Sequence, residues 1–261
     1  MRRLWVIALA LPALAACGGG ERPVASTPLP VTDLLDNAGV EPEAGGASAV
    51  LVAHTRAKAS CRVYFGRTPA ADEGSATDSD MSSGPHTTHR ALMVGLVPAS
   101  TYYYRFAGTD AAGRSYAGPG GEFRTAAATP LPPGRNLALG AKVAAVSSEF
   151  SPQYAAGRAL DGNPATEWAT KGDGDRASIT IDLGRSARLT GIGFRTREMS
   201  DGSAVISAIA VFVDGHRIGQ FAVHPGLTVI PLHTSGRSVR IDAVRTTGGN
   251  TGAQKIAIYG Y

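Results

Sequence analysis

The chain has 261 residues and a formal charge of +4, with 25 basic groups scattered among 21 acidic ones. No basic stripe of the kind that tracks a phosphate backbone emerges, which excludes nucleic acid as a partner. Glycine (33) and proline (16) are abundant, and no apolar stripe at helical period runs beyond a turn or two. A helical architecture is thereby excluded, and an all-β one is expected.

Met1-Arg2-Arg3, the apolar run from Leu4 to Leu11, and Leu14-Ala15-Ala16 before Cys17 form a basic head, a hydrophobic segment and a small-residue break. These are the parts of a secretory signal, over residues 1–16. The apolar run is too short for a permanent transmembrane helix, and no other stretch is long enough. The break also resembles a bacterial lipoprotein box. That resemblance implies lipidation of Cys17 and an exported protein held at a membrane, facing the periplasm or the cell surface. Loss of Arg2 and Arg3 with the signal lowers the formal charge to about +2 (23 basic against 21 acidic groups). Residues 17–44, with Gly18 to Gly20 and prolines to Pro30, read as a flexible tether and the approach to the first domain. Cys61 is the only other cysteine, so no internal disulfide forms; its strand-like setting suggests a buried core thiol.

About 220 residues remain, enough for two β-domains. The first spans 45–126. Its expected strands are Ser48 to Thr55, Cys61 to Gly66, Arg90 to Leu96, Thr101 to Gly108 and Gly121 to Thr125. Tyr102, Tyr104 and Phe106 share one face at period two. The polar stretch from Thr68 to Thr87 reads as an extended loop, and its Asp72, Glu73, Asp78, Asp80 and His86, with nearby His89, as solvated groups without metal-ligand spacing. Leu96-x-Pro98-x-x-x-Tyr102 with Tyr104-Arg105-Phe106 resembles the turn and penultimate strand of fibronectin type III domains, nearest the variety that precedes bacterial surface and phosphatase domains. Residues 127–135 form a Pro/Ala linker stiffened by Pro130, Pro132 and Pro133.

The second domain spans 136–261. Its short strands run Ser178 to Leu183, Leu189 to Arg195, Ile206 to Val213, Val229 to Leu232, Val239 to Val244 and Lys255 to Tyr259, with an Asp214-Gly215 hairpin. Asn136-Leu137-Ala138-Leu139-Gly140, Ser151-Pro152-Gln153-Tyr154, the Ala159-Leu-Asp-Gly-Asn-Pro-Ala-Thr-Glu-Trp168 stretch, Ile181-Asp182-Leu183-Gly184 and the Ile258-Tyr259-Gly260 end together resemble the coagulation factor 5/8 C-terminal (discoidin) fold. Family 32 carbohydrate-binding modules share that galactose-binding-like jelly roll. Trp168 then takes the place of a core tryptophan.

The resemblance implies a structural calcium held by the carbonyl of Arg158, the carboxylate of Asp161, the carbonyl of Asn163, both oxygens of Thr166 and the carbonyl of Gln254. The family's acidic ligand falls at Lys255. Either the lysine ammonium replaces the ion and pairs with Asp161, or the site stays empty, or calcium binds without that carboxylate; two like charges at about 4 Å would repel by roughly 4 kcal/mol at an effective dielectric near 20. The resemblance also implies ligand loops at one end of the domain, where Phe150 and Tyr154 would stack on a sugar and Arg197 and Asn250 would donate to its hydroxyls.

No Gly-x-Ser-x-Gly elbow, phosphate loop or His-Glu-x-x-His motif is present, and both domains resemble accessory modules. The expectation is a surface-anchored, non-enzymatic lipoprotein that binds extracellular or envelope polysaccharide. The alternative is a structural or protein-interaction lipoprotein of the envelope, whose partner is another protein.

Overall fold

The computed structural model describes residues 27–78 and 84–261. The signal, Cys17 and Asp80 lie outside the described residues. Among those described, no helix is long and apolar enough to cross a membrane, and the architecture is all-β.

The first domain begins earlier than its composition suggests. Strand β1 (Leu29–Pro30) runs parallel to β7 (Ser115–Arg124), and one helical turn, Val31–Leu34, buries Val31 and Leu34 in the core. Strand β2 (Leu35–Pro42) follows. The tether expected over 17–44 is therefore structured from Leu29 onward. Pro30 belongs to a two-residue edge strand and precedes the helical turn, two places where proline's missing donor costs nothing.

Strand β3 is one element from Ser48 to Gly66, where the sequence suggests two. Its ladder breaks between His54 and Ala59. Before the break it pairs with β2 and β5 (His86–Val94), whose His86 rejoins it at Ala59; after it, with β4 (Gly74–Thr77) and β6 (Thr101–Asp110), which pairs in turn with β7. The bend gives two layers around Leu34, Leu51, Val63, Met93, Tyr102 and Phe106. At the β5–β6 turn the Tyr102 hydroxyl accepts a bond from the Val97 N–H (3.1 Å), and Thr125 Oγ1 donates to the Val97 carbonyl (2.7 Å). The stretch from Thr68 to Thr87 is not one extended loop, because β4 and the start of β5 lie within it.

The second domain repeats the device. Two 19-residue strands, β11 (Ser178–Thr196) and β14 (Thr228–Thr246), are each the fusion of two expected strands. Their shared ladder shifts between Asp182 and Ala187, so one sheet curls over itself. Before the shift β11 pairs with β9 (Lys142–Val146); after it, with β15 (Gly252–Gly260). β12 (Ile206–Val213) and β13 (His216–Ala222) extend the sheet, while β8 (Arg135–Asn136) and β10 (Trp168–Ala169) add short pairs to β15. The Asp214-Gly215 hairpin has positive φ at both residues, 48° and 81°, as a tight right-twisting turn requires. Trp168 is 2% exposed among Ile179, Ile181, Leu189, Phe194 and Ile256. Its Nε1–H donates to the Ser148 carbonyl (3.0 Å).

The linker is docked against the second domain. A Cβ at Gly191 would meet Pro132 Cγ at 2.4 Å, and Thr190 Oγ1 donates to the Pro133 carbonyl. The two domains also join through charge. Arg195 on β11 pairs with Glu43 and donates to Ser48 Oγ (2.9 Å), while Ser48 donates to Glu43. Both charged side chains are nearly buried, at 12% and 7% exposure. Beside them Arg90 on β5 reaches Glu41 (3.1 Å) and, across the seam, Glu198 (3.3 Å).

Candidate functional site

Four segments converge at one end of the second domain: the loop after β9, the turn before β10, the end of β11 and the loop before β15. Ser151 opens a short 3-10 turn, Pro152–Tyr154, with proline at its start. That turn sets Tyr154 against Phe150, ring centroids 5.9 Å apart and edge to face. Phe150 is half exposed, and its N–H donates to the Ala169 carbonyl (2.7 Å), which ties it to β10. The Arg197 guanidinium sits 5.8 Å from the Tyr154 ring centre.

Phe150, Tyr154, Arg197 and Asn250 are thus neighbours, but Arg197 differs from its expected role. It is 5% exposed. Its Nε donates to Glu167 (2.9 Å) and its Nη1 to the Asn250 carbonyl (3.2 Å). Those bonds draw the loop before β15 and the turn before Trp168 together beneath the aromatic pair, so Arg197 positions the site from below. Glu167 carries no motif signal of its own, although it stands beside Trp168 in the stretch that marks the fold. Glu149 and Asp173 have structural partners: Glu149 accepts from the Ala156 N–H (2.7 Å) and Asp173 from Ser148 (2.6 Å).

Tyr154 also lines a cleft of about 460 Å³ between the domains. Gln153, Thr166, Glu167 and Gln254 form one wall; Ser75, Thr77, Asp78 and Leu92 form the other.

Four of the residues named for a calcium shell lie together. Thr166 Oγ1 lies 2.9 Å from each Asp161 oxygen, 2.9 Å from the Asn163 carbonyl and 3.3 Å from the Arg158 carbonyl. One hydroxyl hydrogen serves one of these acceptors at a time, so the oxygen cluster is electron-rich and fits a hard cation. Gln254 borders the same cleft as Thr166. Lys255 does not complete the picture as an ammonium. It lies opposite Arg195 in the β11–β15 ladder and so shares the face that meets Glu43. No ion pair joins it to Asp161 among the described residues, where Asp161 accepts from Thr166 instead.

A second polar cluster lies in the first domain. Asp78 Oδ2 is 3.0 Å from His86 Nε2 and 3.2 Å from His89 Nδ1, and it accepts from the Arg90 N–H (3.1 Å). Asp78 and His89 are buried. Where the sequence suggests solvated groups, β4, β5 and the Asp78–Ala91 bridge fold them inward instead. Cys61 Sγ is 3.4 Å from His89 Nε2. Burial, with the charge of Asp78, pushes the Cys61 thiol up to about 12, which keeps it protonated and unreactive at neutral pH.

No curated protein matches the chain in sequence. Among solved structures, similarity covers chitosan-binding module 2 of a chitosanase/glucanase from Paenibacillus sp. IK-5, at 22% identity over 48% of this chain and 100% of that one, TM-score 0.42. It also covers the family 32 CBM from C. perfringens NanJ, at 18% identity over 48% and 98% of the two chains, TM-score 0.42. A Streptococcus pneumoniae fucose binding module has 19% identity over 48% and 98%, TM-score 0.40. In sequence, residues 143–258 match the family model of the F5/8 type C domain, and the C-terminal domain accordingly resembles the discoidin fold.

Proposed function

We propose that this chain is an exported, non-catalytic binding protein whose C-terminal domain holds polysaccharide against Phe150 and Tyr154. The observation that carries the reading is the edge-to-face aromatic pair of exposed Phe150 and half-buried Tyr154, with Arg197 packed against Tyr154 and Tyr154 bordering the interdomain cleft. Aromatic faces suit the apolar faces of sugar rings, and a rigid scaffold presents them from loops. The match over residues 143–258 supports the reading, because binding loops at one end are the working part of that fold. Tyr154 and Phe150 make the stacking surface, Asn250 and Glu167 border it, and Arg197 fixes their spacing.

Three further parts belong to the proposal. Cys17 is lipidated and anchors the chain to a membrane. The first domain is a fibronectin type III-like spacer, supported by its β2–β3–β5 and β4–β3–β6–β7 layers and by the Tyr102 corner. One calcium ion is held by Arg158, Asp161, Asn163 and Thr166, where it would clamp the turn that leads to Trp168, with water completing its shell.

The test is a glycan array probed with the full chain in detergent, followed by titration of any hit with Phe150→Ala and Tyr154→Ala. Removing either ring should weaken binding by roughly 5- to 30-fold, from about 1–2 kcal/mol per ring. Absence of binding to every glycan, or wild-type affinity in both variants, would reject the reading.

A further inference from the structure

We propose that Asp78, His86 and His89 form a transition-metal site in the first domain, one that takes Zn²⁺ through two imidazole nitrogens and a carboxylate. His86 Nδ1 is 2.8 Å from the Gly84 carbonyl, and a carbonyl only accepts, so Nδ1 carries the hydrogen. Nε2 of the neutral ring is then a lone pair, and it faces Asp78 Oδ2 at 3.0 Å.

His89 repeats the pattern. Thr55 Oγ1 spends its hydrogen on the Ala57 carbonyl at 2.7 Å, and at 3.1 Å from His89 Nε2 it therefore accepts. Nε2 carries the hydrogen, and Nδ1 turns its lone pair to the same Asp78 oxygen at 3.2 Å. Two imidazole nitrogens and a carboxylate oxygen thus face one another, with ring centroids 4.8 Å apart and His89 wholly buried. A divalent cation takes all three as ligands at once.

Ligand atoms about 2.0–2.1 Å from a tetrahedral zinc lie about 3.3 Å from each other, and the two carboxylate–imidazole separations, 3.0 and 3.2 Å, meet that spacing. The three ligand atoms lie within 4.8 Å of one another, so the imidazoles need only close on the ion. Imidazole donors favour zinc and its neighbours over calcium or magnesium. The outer shell is present as well. The Gly84 carbonyl orients His86, Thr55 orients His89, and the Arg90 N–H holds the carboxylate, the arrangement that fixes tautomers around bound metals. Cys61 is not a ligand, because it faces the far nitrogen of His89. Three protein ligands leave a fourth position for water, and His86 retains 23% exposure for entry.

The experiment uses the full chain in detergent, purified without a histidine tag and stripped with a chelator. Zn²⁺ titrated by calorimetry should bind with one-to-one stoichiometry. Co²⁺ substituted for it should give the intense visible bands of a four-coordinate site. His86→Ala should weaken Zn²⁺ at least tenfold, while His216→Ala, exposed at the start of β13 in the other domain, should leave it unchanged. Absence of stoichiometric Zn²⁺ binding by the wild-type chain would overturn the proposal, as would His86→Ala binding as tightly as wild type. Should His86→Ala fail to fold, the wild-type Co²⁺ spectrum decides: a six-coordinate, water-like spectrum rejects the site. None of these readouts depends on glycan binding.

Discussion

Arg195→Ala is the sharpest probe of how the two domains are held together. Arg195 and Glu43 are 12% and 7% exposed, and Ser48 both donates to Glu43 and accepts from Arg195. Removing the guanidinium leaves Glu43 buried with one hydroxyl for company. Breaking a buried pair from one side costs about 3–5 kcal/mol, mostly the penalty of the stranded charge. For a unit of this size, 1 kcal/mol moves the melting temperature by about 2–4 °C, so a fall of about 10 °C is expected. Urea unfolding with a matched thermal scan measures both. The double variant Glu43→Gln with Arg195→Met should return to within about 1 kcal/mol of wild type, because it removes both charges. A loss below about 1 kcal/mol in Arg195→Ala would show that water reaches Glu43 and that the seam is not sealed by this pair.

Trp168→Ala should cost about 3–5 kcal/mol in chemical denaturation, since it empties the core and strands the Ser148 carbonyl; Trp168→Phe should cost less. Burial raises the Glu198 carboxyl above its ordinary value, with Glu41 and Glu43 adding to the rise and Arg90 opposing it. The folded state therefore holds this proton more tightly than the unfolded chain does. The resulting stability is full below the unfolded carboxyl pKa and is lost as pH rises through the folded value. Glu198→Gln should flatten that part of the curve in melts taken from pH 4 to 7, and an unchanged slope would count against the assignment. Calcium at about 100 times its dissociation constant should stabilise the chain by about 2.7 kcal/mol. Asp161→Ala should abolish that gain in melts with and without chelator, and a wild type indifferent to calcium would remove the ion from the account.

Strand positions were legible in the sequence because alternation reports local burial: Tyr102 and Phe106 turn inward, as do Ile179 and Ile181. Strand fusion was not legible. Whether Ser178–Leu183 and Leu189–Arg195 are two strands or one bent strand depends on ladder shifts set by the partners. Val31 and Leu34 were hidden by neighbouring prolines, whose missing donors matter little at an edge. The aromatic pair and Arg197 stand out through the family pattern, yet the burial of Arg197 depends on Glu167 and Asn250, which come from different loops. His86 and His89 show the limit most clearly. Three residues apart, they fall on opposite faces of a regular strand, and they meet only because the β3 ladder breaks where His86 joins it.

The seam gives these separate features a common frame. Arg90 is the connecting residue: its backbone N–H holds Asp78, and its guanidinium spans Glu41 and Glu198. Asp78 borders the interdomain cleft on one side, and Tyr154 borders it on the other. An ion in the Asp78 cluster would therefore bear on the strand that carries Arg90 and, through the partly buried Arg90–Glu198 pair, on the seam. A loose hinge would not need this construction; a fixed angle between the two domains would.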